Sequence, residues 1–220
     1  MLITFEGIDG SGKSTQARYL QFHLDAIWGR KVRLVHEPGS TAVSERIRSL
    51  LLDPYADIVP FAELLLFSAA RSQLVREVIQ PALDAGEIII CDRFYDSTTA
   101  YQGSGRQLAD LDWLKDFHYR VTEGLVPDRT FFIDVPVEVA AERRGGDRDR
   151  MEQAGKEFFE RVRRAYLDLV EREPERVVRI DGTQNLDAIN AEVVREVEAM
   201  LTAEASGTGR PPSGSPTEAS

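Results

Sequence analysis

Short apolar stretches alternate along the chain with longer segments of helical periodicity. The predicted strands are Leu2–Phe5, Val32–Val35, Glu87–Cys91, Thr130–Val135 and Val177–Ile180. Nearly continuous apolar strands that are separated by helices are typical of a parallel sheet covered on both faces. The pattern therefore predicts an α/β fold, in which a five-stranded parallel sheet carries helices on both sides.

Between and after these strands, apolar residues recur every three to four positions, which predicts amphipathic helices. The predicted helices span 14–28, 42–52, 61–85, 111–123, 137–144, 152–172 and 186–203. After residue 203 the chain contains no large apolar side chain and is rich in Gly, Pro and Ser. We therefore expect one domain over residues 1–203 and a disordered tail over residues 204–220.

The first strand leads directly into a glycine-rich loop of the pattern G-x-x-x-x-G-K-S. Glycines let successive backbone N–H groups wrap anionic oxygens, Lys13 adds a positive charge, and Ser14 offers a hydroxyl to Mg²⁺. The preceding strand and the following helix favour this interpretation over a chance glycine-rich turn. The sequence thus predicts a nucleoside triphosphate site made of Gly7, Ile8, Asp9, Gly10, Ser11, Gly12, Lys13, Ser14 and Thr15.

Composition limits the partners of such a site. The net charge of −10 argues against binding to a nucleic-acid polymer, since proteins of that class carry a basic face. No run of eighteen apolar residues exists, and the only cysteine, Cys91, lies in an apolar run. We expect no membrane segment, no disulfide framework and a cytoplasmic location.

Charged residues gather at two further places. Asp92 and Arg93 end the third predicted strand, where side chains at the carboxyl end of a parallel sheet face the ligand. There Asp92 would hold the Mg²⁺ shell through water and Arg93 would bind a second phosphate. The alternative is a local surface ion pair between the two.

The second place is a run of four arginines, Arg143, Arg144, Arg148 and Arg150, around Gly145-Gly146. It predicts a short lid over about residues 143–152 that cancels charge during phosphoryl transfer, although a solvated helix face is the more ordinary interpretation. A lid favours a kinase, because a kinase must exclude water. The chain lacks the N-K-x-D motif of a guanine-selective switch.

Five motifs together resemble thymidylate kinase of the bacterial type. They are Phe5–Thr15 (FEGIDGSGKST), Glu37–Gly39 (EPG), Leu64–Arg71 (LLLFSAAR), Asp92–Gly103 (DRFYDSTTAYQG) and Asp149–Glu152 (DRME). The resemblance implies the fold of P-loop nucleoside monophosphate kinases. It also implies a homodimer that phosphorylates dTMP to dTDP for dTTP biosynthesis, with ATP as donor and Mg²⁺, by in-line transfer.

For the base of dTMP, the resemblance implies that Phe67 stacks on thymine, that Arg71 donates to a base carbonyl and that Thr98 meets the N3–H. Phe67 and Arg71 are four residues apart, so on a helix both lie on one face. The alternatives are a core aromatic for Phe67 and, for Arg71, a salt bridge with Glu63.

For the sugar and phosphate, the resemblance implies that Tyr101 packs under the deoxyribose, with Gln102 bordering the same pocket. It implies that Asp9 bonds the 3′-hydroxyl and that Arg93 binds the acceptor phosphate. Glu37 belongs to the same acceptor set, but His36 and Ser40 stand where arginine and glycine are expected, which leaves the contacts of this loop open.

The family divides by whether its transition-state arginine lies in the P-loop or in the lid, and Gly10 places this chain in the second group. The expected catalytic set is then Asp9, Lys13, Arg93, Arg148 and Arg150, with Ser14 and Asp92 at the metal. Arg143 is expected to stack on the donor adenine. Gln184 and Asn185 border that adenine or are ordinary turn residues.

Two other functions stay open at this point. A deoxynucleoside kinase would share the strand-end Asp92-Arg93 pair but would leave Arg93 without an acceptor phosphate. A non-catalytic nucleotide binder would not need the cluster of arginines. The sequence does not settle how strictly the site rejects dUMP, which lacks one methyl group of dTMP.

Overall fold

The computed structural model describes residues 1–144, 150–151 and 154–207. Its centre is a parallel five-stranded sheet in the order β2-β3-β1-β4-β5. The strands are β1 (Leu2–Glu6), β2 (Val32–His36), β3 (Ile88–Asp92), β4 (Arg129–Asp134) and β5 (Val177–Asp181). The predicted parallel sheet is confirmed, and the strand bounds differ from the prediction by only one residue at an end.

The register of the sheet brings the strand ends together. Phe5 of β1 lies beside Asp92 of β3 and beside Phe131 of β4. Because the strands are parallel, the carboxyl ends of β1, β3 and β4 meet at one edge of the sheet. The loops that leave this edge carry most of the predicted site residues.

Helices cover both faces of the sheet. They are α1 (Lys13–Ile27), α2 (Ala42–Leu52), α3 (Pro60–Leu74), α4 (Gln80–Asp84), α5 (Tyr95–Thr98), α6 (Leu111–Val121), α7 (Val137–Arg144), α8 (Lys156–Arg172) and α9 (Leu186–Ala205). Two π-helical segments, Val75–Ile79 and Thr99–Gly105, follow α3 and α5.

Side chains of β1 alternate between two hydrophobic cores. Ile3 and Phe5 face a core that α1 and α9 close, whereas Leu2 faces a core built with α3, α4 and the segment Val75–Ile79. A further core packs Phe132 of β4 against Tyr166 of α8, whose rings stack with centroids 4.9 Å apart. Burial on both faces explains why the central strands β1, β3 and β4 read as continuous apolar runs.

The structure differs from the predicted elements at four places. The helix predicted over 61–85 is divided by the π-helical segment Val75–Ile79, and α8 begins at Lys156 instead of residue 152. The helical stretch 95–105 was not predicted, because its polar and glycine-rich sequence carries no apolar period. α9 continues to Ala205, two residues into the predicted tail, and residues 208–220 lie outside the described part of the chain.

Within the described ranges, none of the helices combines the length and apolar character that a bilayer crossing requires.

Candidate active site

The glycine-rich loop between β1 and α1 packs closely against its neighbours. A Cβ on Gly7 would lie 2.7 Å from the carbonyl oxygen of Ile133, and one on Gly10 would lie 2.2 Å from that of Ala140 in α7. Both glycines have positive φ angles, 142° and 87°. Position 10 therefore has no room for an arginine unless α7 moves, which agrees with an arginine supplied from elsewhere.

Asp9 lies at the centre of the loop's polar contacts. Its Oδ1 accepts from Nζ of Lys13 at 3.2 Å and from Nη2 of Arg93 at 2.8 Å. Burial alone would raise the pKa of Asp9, but the charges of Arg93 and Lys13 outweigh it and hold that pKa well below its usual range. Asp9 is thus ionised at neutral pH, and two cations converge on it.

Arg93 begins the segment after β3 in a left-handed conformation, with a φ angle of 73°. Its backbone N–H donates to the carbonyl of Phe5 at 2.9 Å, and its guanidinium donates to Oγ of Ser97 and to the hydroxyl of Tyr101. A non-glycine residue in this conformation costs free energy that the surrounding contacts must offset, which is common at functional sites. The alternative of a local ion pair between Asp92 and Arg93 is wrong, since Arg93 pairs with Asp9.

Ser14 and Asp92 line one cavity together with Lys13, Asp9 and Arg93. Oδ1 of Asp92 is buried and has no hydrogen-bond partner in the part of the chain that the structure describes. A hydroxyl, a carboxylate with an unpaired oxygen and room for phosphate oxygens fit the hard-oxygen ligands that Mg²⁺ takes. Within the described residues, no three His, Cys, Asp or Glu side chains form a metal cluster, so protein groups alone would not complete such a shell.

A second cavity shares Asp9, Glu37 and Arg93 with the first and extends towards α3 and α5. Its walls contain every residue predicted for the acceptor except Arg71. The lining residues are Asp9, Glu37, Pro38, Arg48, Leu52, Phe67, Arg93, Ser97, Thr98, Tyr101, Gln102 and Met151. The structure thus brings the predicted acceptor residues together beside the P-loop.

Arg71 stands behind the wall of this acceptor cavity, with only 1% of its surface exposed. Its Nε donates to Oε2 of Glu37 at 2.7 Å, Nη1 donates to Oγ1 of Thr98 at 3.0 Å, and Nη2 donates to the carbonyl of Phe94 at 3.2 Å. The salt bridge suggested with Glu63 is therefore wrong, because Glu37 is the partner. These bonds fix the orientation of the guanidinium against Thr98.

Glu37 is itself buried, and its second carboxylate oxygen has no hydrogen-bond partner within the described ranges. Burial raises the pKa of Glu37 to about 7, although the charge and hydrogen bond of Arg71 oppose the rise and the nearby Glu6 adds to it. The carboxyl group next to Arg71 therefore titrates close to neutral pH.

Aromatic rings form the other walls of the acceptor cavity. Phe67 is half-buried and packs at the edge of the core that contains Tyr101, so it serves both the core and the cavity. The Tyr101 hydroxyl donates to Oδ2 of Asp9 at 3.4 Å, and the Arg93 guanidinium lies 5.0 Å from the ring centroid of Tyr101. A planar ligand in this cavity would thus have an aromatic ring to stack on.

The two residues that differ from the family pattern, His36 at the end of β2 and Ser40 in the loop after it, hydrogen-bond to each other. Oγ of Ser40 lies 3.1 Å from Nδ1 of His36, and Nε2 of His36 lies 3.0 Å from Oε1 of Glu45. Arg48 of α2, which the sequence analysis missed, lines both cavities and donates to the carbonyl of Pro38 at 2.8 Å. No functional role was predicted for Arg48, because a charged residue within a helix is ordinarily solvated.

The predicted lid arginines are only partly described, and Arg148 lies outside the described residues. Arg143 donates to the carbonyl of Gly182 at 3.0 Å, next to the loop that carries Gln184. Arg150 donates to Glu63 and, at 3.0 Å, to the carbonyl of Leu51. Its guanidinium thus hydrogen-bonds to protein groups in this structure, and its predicted phosphoryl contact stays a prediction.

Arg144 received no individual role from the sequence, yet it lies against the P-loop. Its Cγ would be 3.0 Å from a Cβ on Gly10, and its guanidinium carbon lies 4.7 Å from the ring centroid of Phe159. Its Nη1 is buried and has no hydrogen-bond partner among the residues described. Nothing in its sequence position distinguishes Arg144 from the three other arginines of the run.

The remaining residues predicted for the ATP site divide between interior and surface, and Ile8 and Ser11 are buried. Thr15 and Gln184 are exposed, and Gln184 makes a backbone bond to the carbonyl of Asp181 at 3.4 Å. The side chain of Asn185 accepts from the N–H of Ala188 at 2.9 Å and so caps α9. This cap is the ordinary turn role that the sequence analysis left open for Asn185.

Comparison with known proteins decides the family. The family model described as thymidylate kinase matches residues 5–193. The chain belongs to the thymidylate kinase family. It is therefore an enzyme of the phosphotransferase class, with the fold that this family shares.

Similar proteins match over nearly their whole length. Thymidylate kinase of Chlorobium luteolum is 47% identical over 206 residues, which cover 89% of this chain and 95% of the relative. That of Deinococcus radiodurans is 44% identical, covering 88% and 94%. The crystal structure of thymidylate kinase from Ehrlichia chaffeensis superposes with a TM-score of 0.73 at 37% identity, covering 90% of this chain and 98% of that one.

Proposed function

We propose that this enzyme transfers the γ-phosphoryl group of ATP to dTMP, giving ADP and dTDP, a step that supplies dTTP biosynthesis. The observation that carries the proposal is the placement of Arg93. This residue pairs with Asp9 of the P-loop and lines both cavities. Donor and acceptor phosphates in the two cavities would therefore meet at one guanidinium.

Asp9 and Lys13 act on the two substrates from the P-loop. The Lys13 ammonium is positioned by Asp9 and would neutralise charge on the β- and γ-phosphates, which is the main task in phosphoryl transfer. Asp9, ionised at neutral pH, would accept a hydrogen bond from the 3′-hydroxyl of dTMP. An acceptor phosphate oxygen attacks in line, and because that oxygen is already ionised, no strong general base is needed.

The base pocket supports thymine as the acceptor base. Phe67 would stack on the ring, and Thr98 can serve the base N3–H because its Oγ1 accepts from Arg71 and keeps a free lone pair. Arg71 has further N–H donors beyond its three observed bonds, and these would reach a base carbonyl. Tyr101 would pack under the deoxyribose, with Gln102 at the border of the pocket.

Mg²⁺ fits the cavity that Lys13, Ser14 and Asp92 line beside the P-loop. There the unpaired Oδ1 of Asp92 would meet the hydration shell of the ion. When bound, the ion supplies charge neutralisation to the β- and γ-phosphates. Arg143 and Arg148 remain the proposed cations of the 143–152 segment, and Gln184 the proposed neighbour of adenine. Arg144 joins the candidates on the basis of its place against Gly10.

We further propose that the enzyme is a homodimer in the cytoplasm. Apolar side chains are exposed on three helices that lie side by side, namely Val43 and Leu50 of α2, Phe61 and Leu65 of α3, and Trp113 of α6. Exposed apolar side chains on neighbouring helices are the kind of surface that association of two protein chains buries. The buried thiol of Cys91 fits a reducing compartment.

The test is a panel of acceptors with Mg-ATP, in which ADP release is followed by a coupled assay. We expect ADP release with dTMP to exceed that with dUMP, because a methyl-sized pocket distinguishes the two by roughly 1–3 kcal/mol. If thymidine were the better acceptor, the enzyme would instead be a deoxynucleoside kinase. A rate of ADP release that did not depend on any added acceptor would refute the proposed transfer.

A further inference from the structure

The carboxylate of Glu63 accepts hydrogen bonds from three side chains, those of Gln102, Arg106 and Arg150. Glu63 lies in the first turn of α3 and is completely buried. Its Oε1 accepts from Nε2 of Gln102 at 2.7 Å and from Nε of Arg106 at 3.2 Å. Its Oε2 accepts from Nη2 of Arg106 at 3.1 Å and from Nη2 of Arg150.

The charge of this cluster depends on Glu63. Burial alone would raise the pKa of Glu63, but the hydrogen bonds of Arg106 and Gln102 outweigh it and lower the pKa, so the carboxylate is ionised. Without its negative charge, two guanidiniums would face each other, with only 23% and 12% of the Arg106 and Arg150 side chains exposed. Like charges in a buried position separate, so the cluster would open.

The cluster borders the acceptor cavity. Gln102 and Met151 line that cavity, and Sδ of Met151 lies 3.5 Å from Nη2 of Arg150 and 3.9 Å from Nη2 of Arg106. Arg150 also reaches the carbonyl of Leu51 at the end of α2, next to Leu52 of the cavity wall. One carboxylate thereby joins α2, α3, the segment Thr99–Gly105 and residues 150–151.

We propose that Glu63 is a positioning residue for the acceptor: its carboxylate assembles the wall made by Gln102, Met151 and Leu52, and Arg150 acts through Glu63 and not on a phosphoryl group. This inference rests on the proposed function for the identity of the acceptor. It assigns a role to Arg150 that differs from the phosphoryl contact expected from the sequence. It also explains why a wholly buried acidic residue lies in the first turn of α3, four residues before Phe67.

The test is a double-mutant cycle of Glu63→Gln and Arg150→Gln, with KM for dTMP, KM for ATP and kcat as readouts. We expect Arg150→Gln to raise the KM for dTMP by about tenfold, the loss of one charged hydrogen bond, and Glu63→Gln to raise it at least as much, with the KM for ATP little changed. The double variant should be no worse than Glu63→Gln alone, because Glu63→Gln already removes the interaction that Arg150→Gln removes. Additive losses would overturn the proposal, as would an Arg150→Gln variant that lost kcat about a hundredfold while Glu63→Gln kept it.

Glu87→Gln is the matched control for stability. Glu87 is a similarly buried carboxylate with two cationic partners, Lys31 and Arg33, but it precedes β3 at the opposite edge of the sheet. We expect it to lower the melting temperature and to leave the KM for dTMP unchanged. An equal rise in that KM in Glu87→Gln would show that loss of stability is the cause and would overturn the positioning role.

Calorimetric titration of dTMP keeps this test separate from the test of the transfer reaction. If the wild-type protein binds dTMP without phosphorylating it, the proposed reaction fails, and the cycle is then read as dissociation constants. If the wild-type protein does not bind dTMP at all, both proposals are overturned. Should Glu63→Gln fail to fold, the same cycle between Arg106→Gln and Arg150→Gln applies, and additivity would again contradict a shared carboxylate.

Discussion

Nη2 of Arg93 donates to Oδ1 of Asp9 over 2.8 Å, which joins the end of β3 to the P-loop. Lys13 donates to the same oxygen from the start of α1. The phosphate-binding loop and the acceptor cavity therefore share one carboxylate. A shift of either cation would move this carboxylate and so affect the other cation, since both donate to the same oxygen.

Lys13→Ala is expected to remove nearly all turnover while the fold survives. The side chain supplies a positive charge at the phosphates, and loss of one such group in a preorganised site costs roughly 10²–10³ in kcat. The measurement is the steady-state rate with saturating dTMP and Mg-ATP, together with circular dichroism and the melting temperature. Turnover within twofold of the wild type would contradict the role given to Lys13.

Arg71→Ala is expected to raise the KM for dTMP about tenfold or more, with a much smaller effect on the KM for ATP. The variant removes the guanidinium that Glu37 and Thr98 hold in place behind the acceptor cavity. Arg76→Ala is the matched control, because Arg76 follows α3 but is exposed and pairs with Glu123 at the surface. Equal rises in both KM values for Arg71→Ala would speak against base recognition.

The sheet was predictable from the sequence because its three central strands, β1, β3 and β4, are buried on both faces and therefore read as apolar runs. The helical stretch 95–105 was not, since its helical form depends on tertiary contacts. Glu6 accepts from the N–H of Phe94 at 2.7 Å and from the hydroxyl of Ser97 at 2.6 Å, which fixes the start of that stretch. These partners are about ninety residues apart in sequence, and no local pattern reveals them.

The same distinction holds in the site. Spacing placed Phe67 and Arg71 on one helix face, but the partner of Arg71 depended on which carboxylate the fold brings near, and this is Glu37 instead of Glu63. Motifs likewise placed four arginines together without indicating that Arg150 is held by Glu63 or that Arg144 lies against Gly10. Long-range pairing of charges is the part that the sequence left open.

Gly10→Ala is expected to destabilise the protein and to weaken ATP binding, because its Cβ would lie 2.2 Å from the carbonyl oxygen of Ala140. Gly12→Ala is the matched control for backbone strain. It shares a positive φ angle, 95° against 87°, but its Cβ would meet no atom within 4 Å among the described residues. The measurement is the melting temperature of the nucleotide-free protein, and equal decreases for the two variants would refute the contact with α7.

The KM for dTMP is expected to rise as the pH falls below about 7, where Glu37 takes up a proton. Its pKa is raised by burial, so the carboxylate that orients Arg71 is present above that pH and is lost below it. The acceptor phosphate titrates in a neighbouring pH range, with a second pKa of about 6. The pH profile of Glu37→Gln should keep the inflection of the phosphate and lose the one near pH 7, and an unchanged profile would contradict the assignment.

The most direct test of the central claim is the identity of the products formed from dTMP and Mg-ATP. ³¹P NMR of the reaction mixture, with γ-¹⁸O-labelled ATP, follows both nucleotides at once. We expect dTDP and ADP in equal amounts, with the label in the new β-phosphoryl group of dTDP. Release of labelled inorganic phosphate with unchanged dTMP would contradict it, because the enzyme would then hydrolyse ATP without transferring its phosphoryl group.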